Sequence, residues 1–143
     1  MNQVCACGSE KPAEDCCEPI ISGKKVAETA EELMRSRYVA FTKANINYLM
    51  HTHHPSTRPN KERNKIKRWA QSVQWLDLSV TAVKDGLADD EKGTVSFRAF
   101  YIENEQYEQI YEESSFEKID GKWIYMDGID LDLESQERMF SKD

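Results

Sequence analysis

The sequence has no long apolar run and few aliphatic residues: only 28 of its 143 residues are Leu, Ile, Val or Phe. No segment is long and apolar enough to cross a bilayer. The N-terminus lacks the charged start and apolar stretch of a secretory signal, so we expect a cytoplasmic protein. A formal net charge of −7 is too small to keep such a chain unfolded, and 14 aromatic residues favour a folded domain.

Basic residues are scarce in the second half of the chain. Residues 85–143 carry 6 Lys and Arg against 17 Asp and Glu, whereas residues 1–84 carry 13 against 9. The densest basic segment, 58–68, is interpreted as the solvent face of an amphipathic helix. Because the chain as a whole is acidic, we do not expect nucleic acid to be a partner.

All four cysteines lie within thirteen residues, in a C-x-C-x8-C-C pattern formed by Cys5, Cys7, Cys16 and Cys17. Two close pairs of thiolates separated by a short turn can surround one Zn²⁺ at about 2.3 Å per Zn–S bond. Disulfide bonds are an alternative, but they need an oxidising compartment, and no export signal provides one. Free thiols are the third possibility. We favour zinc in a closed structural site with four protein ligands.

The residues between the cysteine pairs suit a turn around an ion. Gly8 permits a tight turn, and Lys11 is placed to offset part of the negative charge of a four-thiolate centre. Pro12 favours a short helical turn over residues 13–17 that delivers the second pair of cysteines. Such a small knuckle has no core of its own, so the metal is expected to supply most of its folding free energy. We expect it to form a short flexible arm.

The segment CACGSEKP, which begins at Cys5, together with the later Cys-Cys pair, resembles the SEC-C zinc motif, named for its occurrence at the C-terminus of the SecA translocase. That motif usually reads C-x-C-G-S-G-K before a Cys-Cys or Cys-His pair, and Glu10 stands at its second glycine. In the translocase the motif engages a chaperone and acidic phospholipid. The resemblance implies a zinc-binding motif over residues 1–25 that binds a protein partner.

Other segments resemble the YchJ family of small bacterial proteins: residues 19–23, 30–38, 54–59, 113–116 and 123–128. The resemblance implies a nuclear-transport-factor-two-like domain over residues 26–128, in which a curved antiparallel sheet wraps around helices to form a cone. It also implies a pocket in the cone that can hold a small apolar ligand. Two positions depart from the family pattern: His53, where Trp is common, and Glu112, where His is common.

Three helices are predicted before the sheet. Thr29 and Glu32 form a capping box that starts the first helix. Asn45 can cap a second, short helix, and apolar residues at helical spacing predict a third helix over residues 60–73. The chain therefore begins its main domain with helices.

The pattern then changes to one of alternation. Alternating apolar and polar residues and a hairpin signal predict four strands: 75–83, 94–102, 107–119 and 123–126. In the first strand Leu76, Leu78, Val80 and Ala82 are expected to face the core. Asp120-Gly121 is a strong hairpin signal before the last strand. The sequence thus predicts an α+β fold in which helices pack on an antiparallel meander.

An enzyme is the alternative hypothesis. It ranks second because no spacing typical of a nucleophile and its base is visible in the sequence. The weak candidates for acid–base chemistry in a dehydratase-like or isomerase-like cone are His54, Glu113, Tyr38, Tyr125 and Asp127. Arg35 and Arg37 point to different sides of the first helix, and the one facing the sheet is expected to pair with an acid such as Glu113. Residues 129–143 form an acidic tail. Our leading prediction is a zinc-binding protein-interaction module.

Overall fold

The fold was analysed in a computed structural model that describes residues 3–132. Four helices precede four strands. The helices are α1 (Cys17–Ile21), α2 (Ala30–Thr42), α3 (Ile46–His51) and α4 (Arg63–Ser72), with 3-10 turns at Ala13–Asp15 and Asn60–Glu62. The strands are β1 (Gln74–Asp85), β2 (Lys92–Glu103), β3 (Gln106–Ile119) and β4 (Lys122–Asp130). Within residues 3–132, no helix has the length and hydropathy needed to span a membrane.

Side-chain caps start the second and third helices where the sequence predicts them. The Thr29 hydroxyl accepts a hydrogen bond from the Glu32 amide (3.1 Å), and the Glu32 carboxylate accepts one from the Glu28 amide (3.0 Å). The Asn45 side chain accepts from the Tyr48 amide at 3.1 Å. The bonds to the Glu32 and Tyr48 amides satisfy groups that the first turn of a helix leaves without a partner, and the bond to the Glu28 amide fixes the residue before the cap.

The strands form one antiparallel sheet in the order β1-β2-β3-β4, which confirms the predicted α+β meander. Two-residue turns join the last three strands, at Asn104-Glu105 and Asp120-Gly121, and all four residues have positive φ. Such turns match the right-handed twist of the strands that they join. The helices cover one face of this curved sheet.

The first strand differs from its prediction at two residues, because Leu76 and Ala82 are both exposed, and a register shift lies beside each of them. Leu76, expected to face the core, is 41% exposed, whereas Trp75 packs against the core. A bulge explains the difference, because Trp75 pairs with Tyr101 and Asp77 pairs with Phe100, which leaves Leu76 outside the register. The extra residue changes which side chains face the helices.

The cysteine-containing segment shares its core with the main domain. Cys5, Cys7 and Cys17 are buried in the same apolar cluster as Leu33 of α2 and Phe116 of β3. The expectation of a short flexible arm is therefore wrong. The described part of the knuckle is packed against the domain.

The predicted acidic tail begins inside the last strand. Ile129 and Asp130 are the last two residues of β4, where they pair with Glu113 and Glu112 of β3. Residues 131 and 132 follow β4, and residues 133–143 of the predicted tail lie outside the described residues.

Candidate metal centre and internal cavity

The first cysteine pair is held by a small hairpin. Val4 and Pro12 form an isolated antiparallel bridge, and the Cys5 amide donates to the Lys11 carbonyl at 2.8 Å. Between them the Gly8 amide donates back to the Cys5 carbonyl at 3.3 Å. Gly8 has φ of 84°, a conformation that glycine adopts without steric cost. The chain therefore turns back sharply just after Cys7.

The second pair follows a different local structure. The 3-10 turn Ala13–Asp15 leads into Cys16, and Cys17 is the first residue of α1. The predicted helical turn over residues 13–17 is thus split between two elements. Cys17 is 1% exposed, whereas Cys16 is half-buried.

The four sulfur atoms converge on one point. The Sγ atoms of Cys7 and Cys16 are 3.6 Å apart, and those of Cys16 and Cys17 are 3.8 Å apart. All four Sγ atoms, including that of Cys5, lie within 4.8 Å of one another. Zn–S bonds of about 2.3 Å in a tetrahedron require sulfur atoms about 3.8 Å apart. The cluster therefore has the donor set and spacing to bind a metal ion.

The sulfur atoms are not joined as disulfides. None of the four cysteines is paired in a disulfide, and the 3.6 and 3.8 Å separations of Cys16 Sγ from its two neighbours far exceed the S–S bond length of about 2.05 Å. A hydrogen bond from Cys17 lowers the pKa of the Cys7 thiol well below its usual value, whereas the same hydrogen bond and burial raise the pKa of Cys17. These shifts favour the thiolate at Cys7, and the thiolate is the form of cysteine that binds metals.

Arg35 of α2 ties the knuckle to the helices. Its Nη1 donates to the Cys7 carbonyl oxygen at 2.6 Å, and its Nε donates to a Glu31 carboxylate oxygen at 3.0 Å. A Cβ on Gly8 would lie 3.2 Å from the Leu78 carbonyl oxygen of β1, so the hairpin also lies close to the sheet. Arg35 is thus the cation that contacts the first cysteine pair, while Lys11 remains exposed.

A second candidate site is a partly open cavity of about 230 Å³ between the helices and the concave face of the sheet. Its lining is mainly apolar and aromatic. Edge-to-face ring contacts order that lining, with Trp75 touching both Tyr38 and Trp69 at centroid distances of 5.9 and 5.4 Å. The side chains of Met34, Phe41, Phe97 and Phe116 also line the cavity.

The polar residues on the cavity gather around Tyr125 of β4. The Arg37 guanidinium lies over its ring, 4.5 Å from the centroid, and His53 makes an edge contact with a centroid distance of 4.8 Å. The Tyr125 hydroxyl donates to a Glu112 oxygen at 3.3 Å, and the Ser114 hydroxyl donates to the same oxygen at 2.6 Å. Residues far apart in sequence therefore form one polar end.

A glycine makes room for this carboxylate. A Cβ on Gly128 of β4 would collide with the Glu112 side chain and lie 2.8 Å from the Tyr125 hydroxyl oxygen. Any other residue at this position would force the Glu112 carboxylate and the Tyr125 hydroxyl to move.

The structure separates the candidate catalytic residues. Tyr38 and Tyr125 line the cavity, whereas the other three do not. His54 is half-buried outside it, and its Nδ1 accepts a hydrogen bond at 3.0 Å from the amide two residues on. Asp127 is exposed, and Glu113 points to the opposite face of β3 from Ser114 and Glu112. The acid–base set proposed for an enzyme is not assembled.

The sequence predicts that the arginine facing the sheet pairs with an acid such as Glu113, but the structure places a different acid beside it. Arg37 is the arginine that packs toward the sheet, but the carboxylate on its side is Glu112 rather than Glu113. The alternation of side chains along β3 could have identified Glu112 from the sequence. Phe116 is an obvious core residue, so Glu112, four positions earlier on β3, shares its face.

Comparison with known proteins identifies the family. The family described as YchJ, middle NTF2-like domain, matches residues 29–128. The chain belongs to the YchJ family. Within this family it is 40% identical over 128 residues to a UPF0225 protein of Geobacter sulfurreducens, covering 90% of this chain and 80% of that one. It is 41% identical over 130 residues to the UPF0225 protein YchJ of Shigella dysenteriae, covering 90% and 84%.

Two solved structures resemble this YchJ-family chain. A solution structure of a SEC-C motif containing protein from Rhodopseudomonas palustris has a TM-score of 0.80 and 31% identity, covering 92% of this chain and 100% of that one. A crystal structure of a sec-c motif containing protein from Psychrobacter arcticus has a TM-score of 0.75 and 26% identity, covering 87% and 81%. The NTF2-like cone with an N-terminal cysteine cluster is therefore the fold of this chain.

The two positions that depart from the YchJ pattern meet in the structure. His53 and Glu112 both contact Tyr125, one at the ring and the other at the hydroxyl. The polar end of the cavity thus holds both positions that the sequence analysis marks as departures from the family pattern.

Proposed function

We propose that this YchJ-family protein binds one Zn²⁺ through Cys5, Cys7, Cys16 and Cys17, and that the ion fastens the knuckle to the NTF2-like domain. The observation that supports this most directly is the convergence of four Sγ atoms within 4.8 Å. Four thiolates suit zinc or an iron–sulfur site, and a closed set of four leaves no position for catalysis. Free thiolates also require a reducing compartment, which fits the cytoplasm.

Native mass spectrometry of gently purified, reduced protein tests the metal. We expect one zinc per chain, lost on treatment with a strong chelator and not bound by Cys7→Ser. Substitution with cobalt(II) should give the visible absorption of a tetrahedral thiolate site. Stoichiometric iron, or a metal-free mass before chelation, would contradict the proposal.

A protein partner at the knuckle is the second part of the proposal. Val4, next to the first ligand, is 64% exposed although it is apolar. A groove of about 330 Å³ runs beside Cys16 between the knuckle and α2 and is lined by charged residues of both signs, including Lys11, Glu31 and Arg35. An apolar edge beside a charged groove suits a peptide segment with an apolar anchor.

Retention of proteins from lysate by the whole zinc-loaded chain, followed by measurement with each purified candidate, tests the partner. Val4→Asp should abolish binding of the true partner. Leu87→Asp is the matched control, because Leu87 is 62% exposed in the loop between β1 and β2. Equal binding by both variants would mean that the partner does not bind at Val4, and would refute the proposed binding site on the knuckle.

The third part is that the cone takes a small apolar ligand. It is supported by the aromatic lining of the 230 Å³ cavity, whose character is that of known small-molecule sites. Native mass spectrometry can detect a copurified ligand, and Ala99→Leu should prevent it from binding because Ala99 lines the cavity.

A further inference from the structure

Arg37 is a buried cation that makes no ion pair. It is 8% exposed, and its Nη1 donates to the Leu49 carbonyl at 2.9 Å and to the Thr52 hydroxyl at 2.6 Å. Within residues 3–132 the salt bridges are Arg35–Glu31 and Lys65–Glu62, and Arg37 belongs to neither. Its remaining N–H groups donate to no described residue, although the side chain lines the cavity. No fully buried side-chain nitrogen or oxygen of residues 3–132 lacks a partner, so these N–H groups reach accessible space, where an acceptor on a ligand can pair with them.

Glu112 offers the complementary group. Its Oε2 accepts both hydrogen bonds from Ser114 and Tyr125, so its Oε1 accepts none from the residues that the structure describes. The side chain lines the same cavity as Arg37, and both residues contact Tyr125. Among the described residues, the polar end therefore has an acceptor on Glu112 and donors on Arg37 that no protein group uses, both on residues that contact Tyr125.

The charges at this end of the cavity cancel. Arg37 contributes one positive charge and Glu112 one negative charge, and Glu112 opposes the effect of burial, which lowers the pKa of Arg37 to about 10. Burial and the nearby Arg37 lower the pKa of His53 to about 4, so its imidazole is neutral near pH 7. The site thus favours a neutral ligand over an ion, because an ion would add an unbalanced charge to an apolar cavity.

The cavity also limits the size of the ligand. A dry cavity of about 150 Å³ holds benzene, so 230 Å³ has room for about nine non-hydrogen atoms. Trp69, Trp75 and Phe97 present ring faces and edges that suit a planar aromatic group.

We propose that the cavity binds a neutral aromatic amide, whose carbonyl oxygen accepts from the Arg37 guanidinium and whose N–H donates to the Glu112 carboxylate. This inference rests on the proposed ligand cavity of the cone and specifies the ligand that it takes. The apolar ring lies among the aromatic side chains, and the amide lies at the polar end.

Four probes of equal size and similar shape test it with the full-length, zinc-loaded protein: benzamide, benzoate, benzamidine and acetophenone. They differ only in charge and in their donors and acceptors. Binding is followed by the indole N–H signals of Trp69 and Trp75, which line the cavity, with Trp123, which does not, as an internal control. We expect benzamide to bind about tenfold more tightly than each of the others, since each of them leaves a buried group unpaired or a charge unbalanced.

Glu112→Gln sharpens the test because it removes one charge and almost no volume. Its cavity keeps the positive charge of Arg37, so benzoate should gain about tenfold relative to benzamide. Ala99→Leu should prevent binding of benzamide, whereas Ala82→Leu, on an exposed position of β1, should not.

The outcomes separate the two proposals. Tightest binding of benzoate, benzamidine or acetophenone by the unsubstituted protein would overturn the amide assignment but leave the ligand cavity standing. No shift of either tryptophan with any probe would overturn both. If Glu112→Gln keeps the same preference for benzamide over benzoate, Glu112 does not contact the ligand as proposed and the amide assignment is refuted. This outcome does not depend on whether Ala99→Leu folds.

Discussion

The knuckle and the cone are built on opposite principles. In the knuckle, all four candidate ligands lie within thirteen residues, and their spacing alone brings the sulfur atoms together. In the cone, Arg37, Glu112 and Tyr125 come from α2, β3 and β4 and meet only after the sheet has folded over the helices. A site encoded by local spacing can be read from sequence, whereas a site encoded by topology needs strand register and helix packing.

The two regions also differ in what stabilises them. The cone has a continuous core of helices and sheet, while the knuckle adds three buried cysteines to that core and has few apolar residues of its own. If zinc is bound, the knuckle should depend on the ion and the cone should depend on packing. The following substitutions test that contrast.

Cys7→Ser should have the largest effect. Cys7 is fully buried and central to the sulfur cluster, so Cys7→Ser removes one of the four proposed ligands and leaves a polar group in the core. We expect the free energy of unfolding to fall by more than about 4 kcal/mol, measured by urea denaturation of the zinc-loaded protein.

Chelation provides the control for this prediction. A chelator should lower the melting temperature of the unsubstituted protein toward that of Cys7→Ser and leave the variant unchanged. If the chelator has no effect on the unsubstituted protein, the knuckle does not depend on a metal and the contrast between the regions fails.

Gly128→Ala should destabilise the cone without touching the knuckle. The added methyl group collides with Glu112 and crowds the Tyr125 hydroxyl, so we expect a loss of about 2 kcal/mol in thermal or urea unfolding. Zinc content, measured in the same samples, should not change.

A double-mutant cycle checks that cause. In a Glu112→Ala background the methyl group has space, so Gly128→Ala should cost clearly less than it does alone. Equal costs in the two backgrounds would mean that the backbone of β4, and not the carboxylate, sets the requirement for glycine.

Arg35→Met should weaken the connection between the regions by about 1.5 kcal/mol. The substitution removes the 2.6 Å hydrogen bond to the Cys7 carbonyl while keeping most of the apolar stem of the side chain. The diagnostic measurement is the rate at which a chelator extracts zinc, which should rise. Arg68→Met, on an exposed position of α4, is the matched control and should leave the extraction rate unchanged.

The sequence predicted the order of the elements well because its signals were local. The caps at Thr29 and Asn45 and the turn at Asp120-Gly121 all lie where they were expected. Prediction was wrong where one residue changed the geometry, since the bulge beside Leu76 turned that side chain to solvent and brought Trp75 inward. Periodicity cannot reveal a bulge, because an inserted residue looks like any other in the alternating pattern.

The candidate site shows the same limit. The cysteine cluster needed only spacing, and its four residues come together as expected. The acid on the cavity was assigned to Glu113 instead of Glu112, an error of one residue that reverses the face of a strand. The flexible arm was also wrong, since composition gives no account of how deeply Cys7 and Cys17 are packed against α2 and the sheet.

Glu10→Gly should have the smallest effect and the opposite sign. Glu10 has φ of 70°, where a side chain is strained, and the SEC-C motif usually has glycine at this position. Relief of the strain should exceed the added entropy of the unfolded chain, so we expect the free energy of unfolding to rise by about 0.5 kcal/mol. Glu14→Gly, in the 3-10 turn, is the matched control and should lower it by a similar amount. If both variants are destabilised, the hairpin tolerates Glu10 without strain, and the metal rather than the backbone sets the shape of this turn.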